Sequence, residues 1–120
     1  METRRDVEGV RYVVLHHTGH GDAHFDLMLE VDPAGPLLTF RLADWPVSVG
    51  VDASRLAGHR RAYLTYEGSV SRGRGEVRRV AAGTCALAGS PDADLRVTFL
   101  TGPDHEPIRI ENGARASVLR

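Results

Sequence analysis

The apolar positions of this chain fall in short runs broken by glycine and proline, and no stretch carries an amphipathic helical period. Val10 to His17 is a β-branched and aromatic run that ends in the turn-forming loop Thr18-Gly19-His20-Gly21-Asp22. His24 to Val31 then alternates: Phe25, Leu27, Leu29 and Val31 share one face, and His24, Asp26, Met28 and Glu30 share the other. This predicts a strand with one apolar side and one chemically loaded side left free of the core. Asp32-Pro33-Ala34-Gly35-Pro36 is a turn that returns Leu37 to Leu42 antiparallel to it.

Ala43 to Gly58, with Trp45-Pro46 and Gly50, holds no sustained period and reads as a loop with at most one short element. Further strands are expected at Ala62 to Tyr66, Gly75 to Val80, Thr84 to Ala88, Leu95 to Thr101 and Ile108 to Ile110, with Ser117 to Leu119 as a closing strand. Many short strands with close turn signals predict an all-β or β-rich fold, a small closed antiparallel β-barrel with short loops and little helix. Closure removes the exposed edges that invite aggregation.

Composition narrows the function classes. The chain has 120 residues, one domain's length, and 42% of them are hydrophobic, enough for an ordinary core. Fifteen basic residues stand against sixteen acidic ones, so no global field attracts DNA or anionic lipid, and any nucleic-acid contact must come from a local patch. Every one of the fifteen is arginine, the residue suited to bidentate phosphate contacts. The single cysteine, Cys85, excludes an intramolecular disulfide and reads as a small buried hydrophobe. No run approaches the length of a membrane span and the first residues lack a signal-peptide core, so a cytoplasmic protein with no membrane partner is expected.

Two constellations carry chemistry. His16, His17, His20, His24 and Asp26 lie within eleven residues. Imidazole and carboxylate are the ligands preferred by Zn, Mn, Fe and Ni, and His24 and Asp26, two apart on a strand, emerge on one face. A hairpin brings His16 or His17 beside them. Solvated loop histidines are the plainer reading, but the apolar opposite face leaves this side free for a metal site. The second constellation runs from Arg55 to Arg79, where seven arginines face only Glu67 and Glu76 and include Arg60 and Arg61 beside His59. Clustered arginines, glycines and a histidine suit a phosphate-ester site.

The set His17-(six residues)-His24-Phe25-Asp26, with His59-(three residues)-Tyr63 and Tyr66-Glu67-Gly68, resembles the 3′-phosphoesterase domain of bacterial DNA ligase D and its small stand-alone relatives. The resemblance runs from about Arg11 to Gly83 and leaves residues 1–9 as a flexible N-terminal arm. It implies a β-barrel with a Mn²⁺ site, or one for another divalent transition metal, that trims nucleic-acid 3′ ends in DNA repair. A terminal 3′-ribonucleoside is removed first and then the 3′-phosphate. By motif position, His17, His24 and Asp26 are the implied metal ligands. His59 is the implied catalytic group at the scissile phosphate, Tyr63 supports it, and Arg55, Arg60 or Arg61 bind phosphate.

Two departures stand out. The ligase-fused members carry an arginine two positions after the metal-binding aspartate, where this chain has Met28, and they have a longer basic arm, to which Arg4, Arg5, Asp6 and Glu8 do not align. The alternative is a non-catalytic module that keeps the barrel and metal and binds a nucleic-acid end or a repair partner such as a DNA ligase. A metal-dependent esterase for a small phosphorylated metabolite is a third reading.

Overall fold

The longest strands set the architecture. In the computed structural model, which describes residues 5–119, β1 (Arg5–Thr18) and β6 (Glu76–Gly89) each run 14 residues and pair antiparallel along most of that length. Between them lie β2 (His24–Leu29), β3 (Leu37–Leu42), β4 (Val51–His59), a 3-10 turn (Arg61–Leu64) and β5 (Gly68–Ser69). After them come β7 (Asp94–Phe99), β8 (Ile108–Glu111) and β9 (Arg115–Val118). Neighbours pair antiparallel in the order β1-β2-β3-β4-β9-β8-β7-β6, and β6 closes on β1, which gives an eight-stranded barrel. β5 is a short addition that pairs Gly68 and Ser69 with the first residues of β6. The expected small antiparallel barrel is the fold observed.

Alternation fills the interior. Val10, Tyr12 and Val14 of β1, Leu27 and Leu29 of β2, Phe40 of β3, Cys85 of β6, Val97 of β7 and Ile108 and Ile110 of β8 all belong to one buried cluster. Residues of every barrel strand reach that cluster, so it is the barrel lumen. The opposite faces of β1, β2 and β3 are buried as well. Val13 and Leu15, Met28, Leu37 and Val77 form a second cluster, covered by Leu64 of the 3-10 turn. The loaded side of β2 is therefore not free of the core, as its polar residues suggested: Met28 is 1% exposed and packs there.

Three elements differ from the sequence expectation. Ala62 to Tyr66 is not a strand: the 3-10 turn Arg61–Leu64 stands there, with Tyr63 and Thr65 donating to the carbonyls of Arg60 and Ala62, and it seats Leu64 as a lid on the outer cluster. Val51–His59 is a full strand, invisible to periodicity because Ala53 is its one buried residue. Gly75 to Val80 and Thr84 to Ala88 are a single strand. Gly83, read as punctuation between them, is there because a Cβ would stand 2.2 Å from the Thr101 carbonyl oxygen. Residues 1–9 were expected to be a flexible arm, but β1 begins at Arg5 and pairs Val7 with Leu87; residues 1–4 lie outside the described region. The register slips between Val7 and Val10, where Gly9 has φ +73°, an added residue of the kind that makes a bulge.

Cys85 is fully buried, and burial pushes its thiol up to about 12. Burial, and then the neighbouring thiol, also raises Tyr12, whose hydroxyl donates to the Thr101 carbonyl.

Met28→Ala is expected to destabilise the fold by about 2–5 kcal/mol, as for a fully buried methionine, whereas Val49→Ala, at a position 73% exposed, changes stability by less than about 0.5 kcal/mol. Urea denaturation measures both, and equal effects would remove Met28 from a core. A second prediction concerns pH. The Cys85 thiol stays protonated in the fold to about 12 but ionises in the unfolded chain from about 9. The folded state then holds more protons, so stability is flat below that window and falls as pH rises through it. The fall should be shallower in Cys85→Ala, and identical pH profiles would contradict a buried, protonated thiol.

Candidate metal centre

Strand register gathers the three implied ligands. His17 of β1 lies directly opposite His24 of β2, and Leu15 opposite Asp26. Residues opposite each other project on the same side of a sheet. His17, His24 and Asp26 therefore share the outward face with Val13, Leu15 and Met28. His16 falls on the other face, where its ring stacks on Phe25 at 4.4 Å. Of the two histidines left open by the residues alone, register brings His17, the one implied by the motif, to the face of His24 and Asp26.

One ligand atom from each of His17, His24 and Asp26 lies within 4.8 Å of the others. Asp26 is 3% and His24 7% exposed. The His24 Nδ1 donates to the Asp22 carbonyl at 3.1 Å, which in the neutral ring leaves Nε2 with a lone pair. That Nε2 stands 3.4 Å from the Asp26 Oδ2, about the separation of two donors held tetrahedrally about 2.1 Å from one ion. Among the described residues, buried His24 Nε2 and Asp26 Oδ1 have no hydrogen-bond partner. Unpaired buried acceptors cost about 1–3 kcal/mol each. Two such atoms on neighbouring buried side chains, one of them on an imidazole oriented from behind, make a donor set that suits a divalent transition metal. The His17 Nε2 is engaged by the Arg74 carbonyl at 2.6 Å, and the two ligand rings meet edge to face at 4.9 Å.

A cleft of about 740 Å³ opens over the centre and is lined by His17 and Asp26 together with His59, Arg60 and Tyr63. The His59 Nδ1 donates to the Ala57 carbonyl at 3.0 Å, so Nε2 is the nitrogen available to a ligand. Tyr63 packs edge-on against His59 at 6.0 Å, and the Arg60 guanidinium lies 5.8 Å from the centre of the Tyr63 ring. Arg55 and Arg61 are not part of the cleft. Arg55 pairs with Asp92, and Arg61 binds Glu30 and the carbonyls of Asp32 and Gly35, bracing the turn before β3. Glu30 is occupied by the same bond.

Their places are taken by Arg41, which the sequence did not single out, and by residues already present in the two constellations. Arg41 of β3 lies opposite Asp26 and lines the cleft, as do Arg72 and Arg74 of the loop between β5 and β6, and His20. Two signals were available: Arg41 sits on the hairpin partner of the ligand strand, and Arg72 and Arg74 lie in a glycine-rich turn. A second cleft of about 650 Å³ shares His17, His20 and Arg41 with the first, so open space flanks the centre on both sides. His105 lies elsewhere: its Nε2 accepts from the Val47 amide and its ring stacks on Trp45 at 4.5 Å.

Comparison with protein-family models and with curated proteins finds no match to this chain.

Asp26→Asn tests the donor set. Without metal, removing the charge from a buried carboxylate with an unpaired oxygen is expected to raise stability by about 1 kcal/mol. The same change should abolish the stabilisation by Mn²⁺, Co²⁺ or Zn²⁺, which for wild type reaches about 2.7 kcal/mol at a hundredfold excess over Kd. Thermal denaturation with chelator and with metal reads both. Undiminished metal stabilisation in the variant would exclude Asp26 as a ligand.

Proposed function

We propose that this protein is a metal-dependent phosphoesterase acting on the 3′ ends of nucleic acid, with DNA repair as its setting. The observation that carries the proposal is a buried, partly unpartnered His17–His24–Asp26 set at the base of a cleft lined by arginines and His59. The motif resemblance to the 3′-phosphoesterase domain of DNA ligase D points the same way, since His59 and Tyr63 line the same cleft as the metal ligands.

His17, His24 and Asp26 would hold a divalent ion, Mn²⁺ or another transition metal, and its chemistry there would be Lewis-acid polarisation of a phosphate oxygen. The chain's own groups do the rest. Arg41, Arg60, Arg72 and Arg74 bring guanidinium charge to the phosphates. His59, with Nδ1 tied to Ala57, presents Nε2 to donate a hydrogen bond to a phosphate oxygen or a proton to the leaving oxygen. Tyr63 braces the His59 ring from the side. The charge balance of −1 means that attraction for substrate is local to this cleft, which suits chain ends better than long duplex.

One observation favours the alternative, a non-catalytic module that binds nucleic-acid ends or a repair partner. Met28 fills the outer core at the position where the ligase-fused relatives carry an arginine. In the catalytic reading Arg41, from the neighbouring strand, supplies the missing cation.

A primer-template ending in one 3′-ribonucleotide, incubated with and without Mn²⁺, separates the two. The catalytic reading expects metal-dependent shortening by one nucleoside, abolished in His24→Ala. In His59→Ala turnover should drop by about 10²–10⁴-fold with metal stabilisation unchanged. Binding of the primer without shortening would establish the alternative, and turnover that survives His24→Ala would overturn the assignment.

A further inference from the structure

The loop between β5 and β6 does more than line the cleft. The carbonyl of Arg74 lies 2.6 Å from the His17 Nε2. A carbonyl only accepts, so Nε2 carries the proton, and in the neutral ring Nδ1 carries the lone pair. His24 has the converse arrangement, with Nδ1 donating to Asp22 and Nε2 left for a ligand. Two backbone carbonyls thus set opposite tautomers on the two imidazoles.

The Arg74 carbonyl is held by a contact that only glycine permits. Gly75, the next residue, has φ +80°, and a Cβ there would stand 2.0 Å from the Thr18 carbonyl oxygen and 2.9 Å from the Gly19 carbonyl carbon. Gly19 has φ +82°, and its own Cβ would meet the Gly75 Cα at 3.2 Å. The loop backbone is therefore seated directly on the backbone that follows His17. Within the loop, the Val70 amide donates to the Gly75 carbonyl, and the Arg74 guanidinium donates to the Ser71 carbonyl and hydroxyl. Gly73 offers a contrast: φ is +66°, but a Cβ there would meet nothing within 4 Å.

We propose that the Arg74 carbonyl, seated by the Gly75–Gly19 backbone contact, fixes the tautomer and ring orientation of His17 so that Nδ1 is its metal-binding nitrogen. Gly75 and Gly19 are then positioning residues for metal binding, although neither carries a ligand atom. The inference rests on the metal-centre reading above and adds to it what holds the most exposed of the three ligands. A metal-bound histidine ordinarily donates its other N–H to a carbonyl or carboxylate, and losing that partner lowers metal affinity about 10–100-fold.

The experiment has two arms. In the metal-free wild type at a pH where His17 is neutral, ¹⁵N chemical shifts of the imidazole report which nitrogen is protonated. The expected form is Nε2–H, and Nδ1–H would overturn the proposal. In the second arm, Co²⁺ and Mn²⁺ dissociation constants are measured for wild type, Gly75→Ala and Gly73→Ala. Both variants place a Cβ at positive φ in the same loop, but only Gly75→Ala drives the loop off Thr18. Gly75→Ala should bind metal about 10–100-fold more weakly and lose the Nε2–H bias at His17, while Gly73→Ala matches wild type in both. Unchanged affinity in Gly75→Ala, or an equal loss in Gly73→Ala, would overturn the proposal. If Gly75→Ala does not fold, Gly19→Ala tests the same contact with the same expectations. A wild type that binds no ion overturns the metal-centre reading itself, and the nitrogen shifts still read the tautomer separately.

Discussion

The rest of the structure depends on the middle of β1, where Tyr12 to Leu15 are paired along both edges and buried on both faces. Its pairing with β2 on one side and β6 on the other closes the barrel, and its inward residues Tyr12 and Val14 lie in the lumen. Its outward residues Val13 and Leu15 form the floor of the second cluster. A strand constrained in this way has little freedom of register, because a slip of one residue would exchange two packed faces. That constraint places His17, at its far end, opposite His24.

The candidate metal centre is a continuation of the outer core. Along β2, Met28 is apolar packing, and one step further on the same face Asp26 and then His24 replace it with ligand atoms. The apolar surround lowers the local dielectric, which makes unpaired acceptors costly without a partner and favourable with a cation. The 3-10 turn that follows β4 serves both regions, since Leu64 seals the outer cluster while Tyr63 stands beside His59.

With lysine absent, the fold puts some arginines into ion pairs and others into the cleft. Arg55, Arg61 and Arg109 are taken up by Asp92, Glu30 and Asp94, and in Arg109 the hydrogen bond and charge of Asp94 raise the guanidinium's proton affinity further. Arg41, Arg60, Arg72 and Arg74 line the cleft. A near-neutral chain acquires a local anion-binding surface by this sorting rather than by net charge.

The hydrophobic alternation of the chain was enough to determine the β architecture, the β2–β3 hairpin, the burial of Cys85 and the shared face of His24 and Asp26, because side-chain period and turn chemistry are local properties. His59 and Tyr63 were found through motif spacing. Strand β4 and the 3-10 turn were not legible: β4 buries one small residue, and the turn exists to cap a cluster assembled from distant strands. The residues by themselves left His16 and His17 open; the motif resemblance implied His17, and cross-strand register places it on the face of His24 and Asp26. Only the tertiary structure separated Arg41, Arg72 and Arg74 from Arg55 and Arg61, since which side of a barrel an arginine reaches depends on how the sheet closes. It also revealed that the face of β2 carrying the ligands is core, because the residues covering it come from strands, a loop and a turn brought together by closure of the barrel.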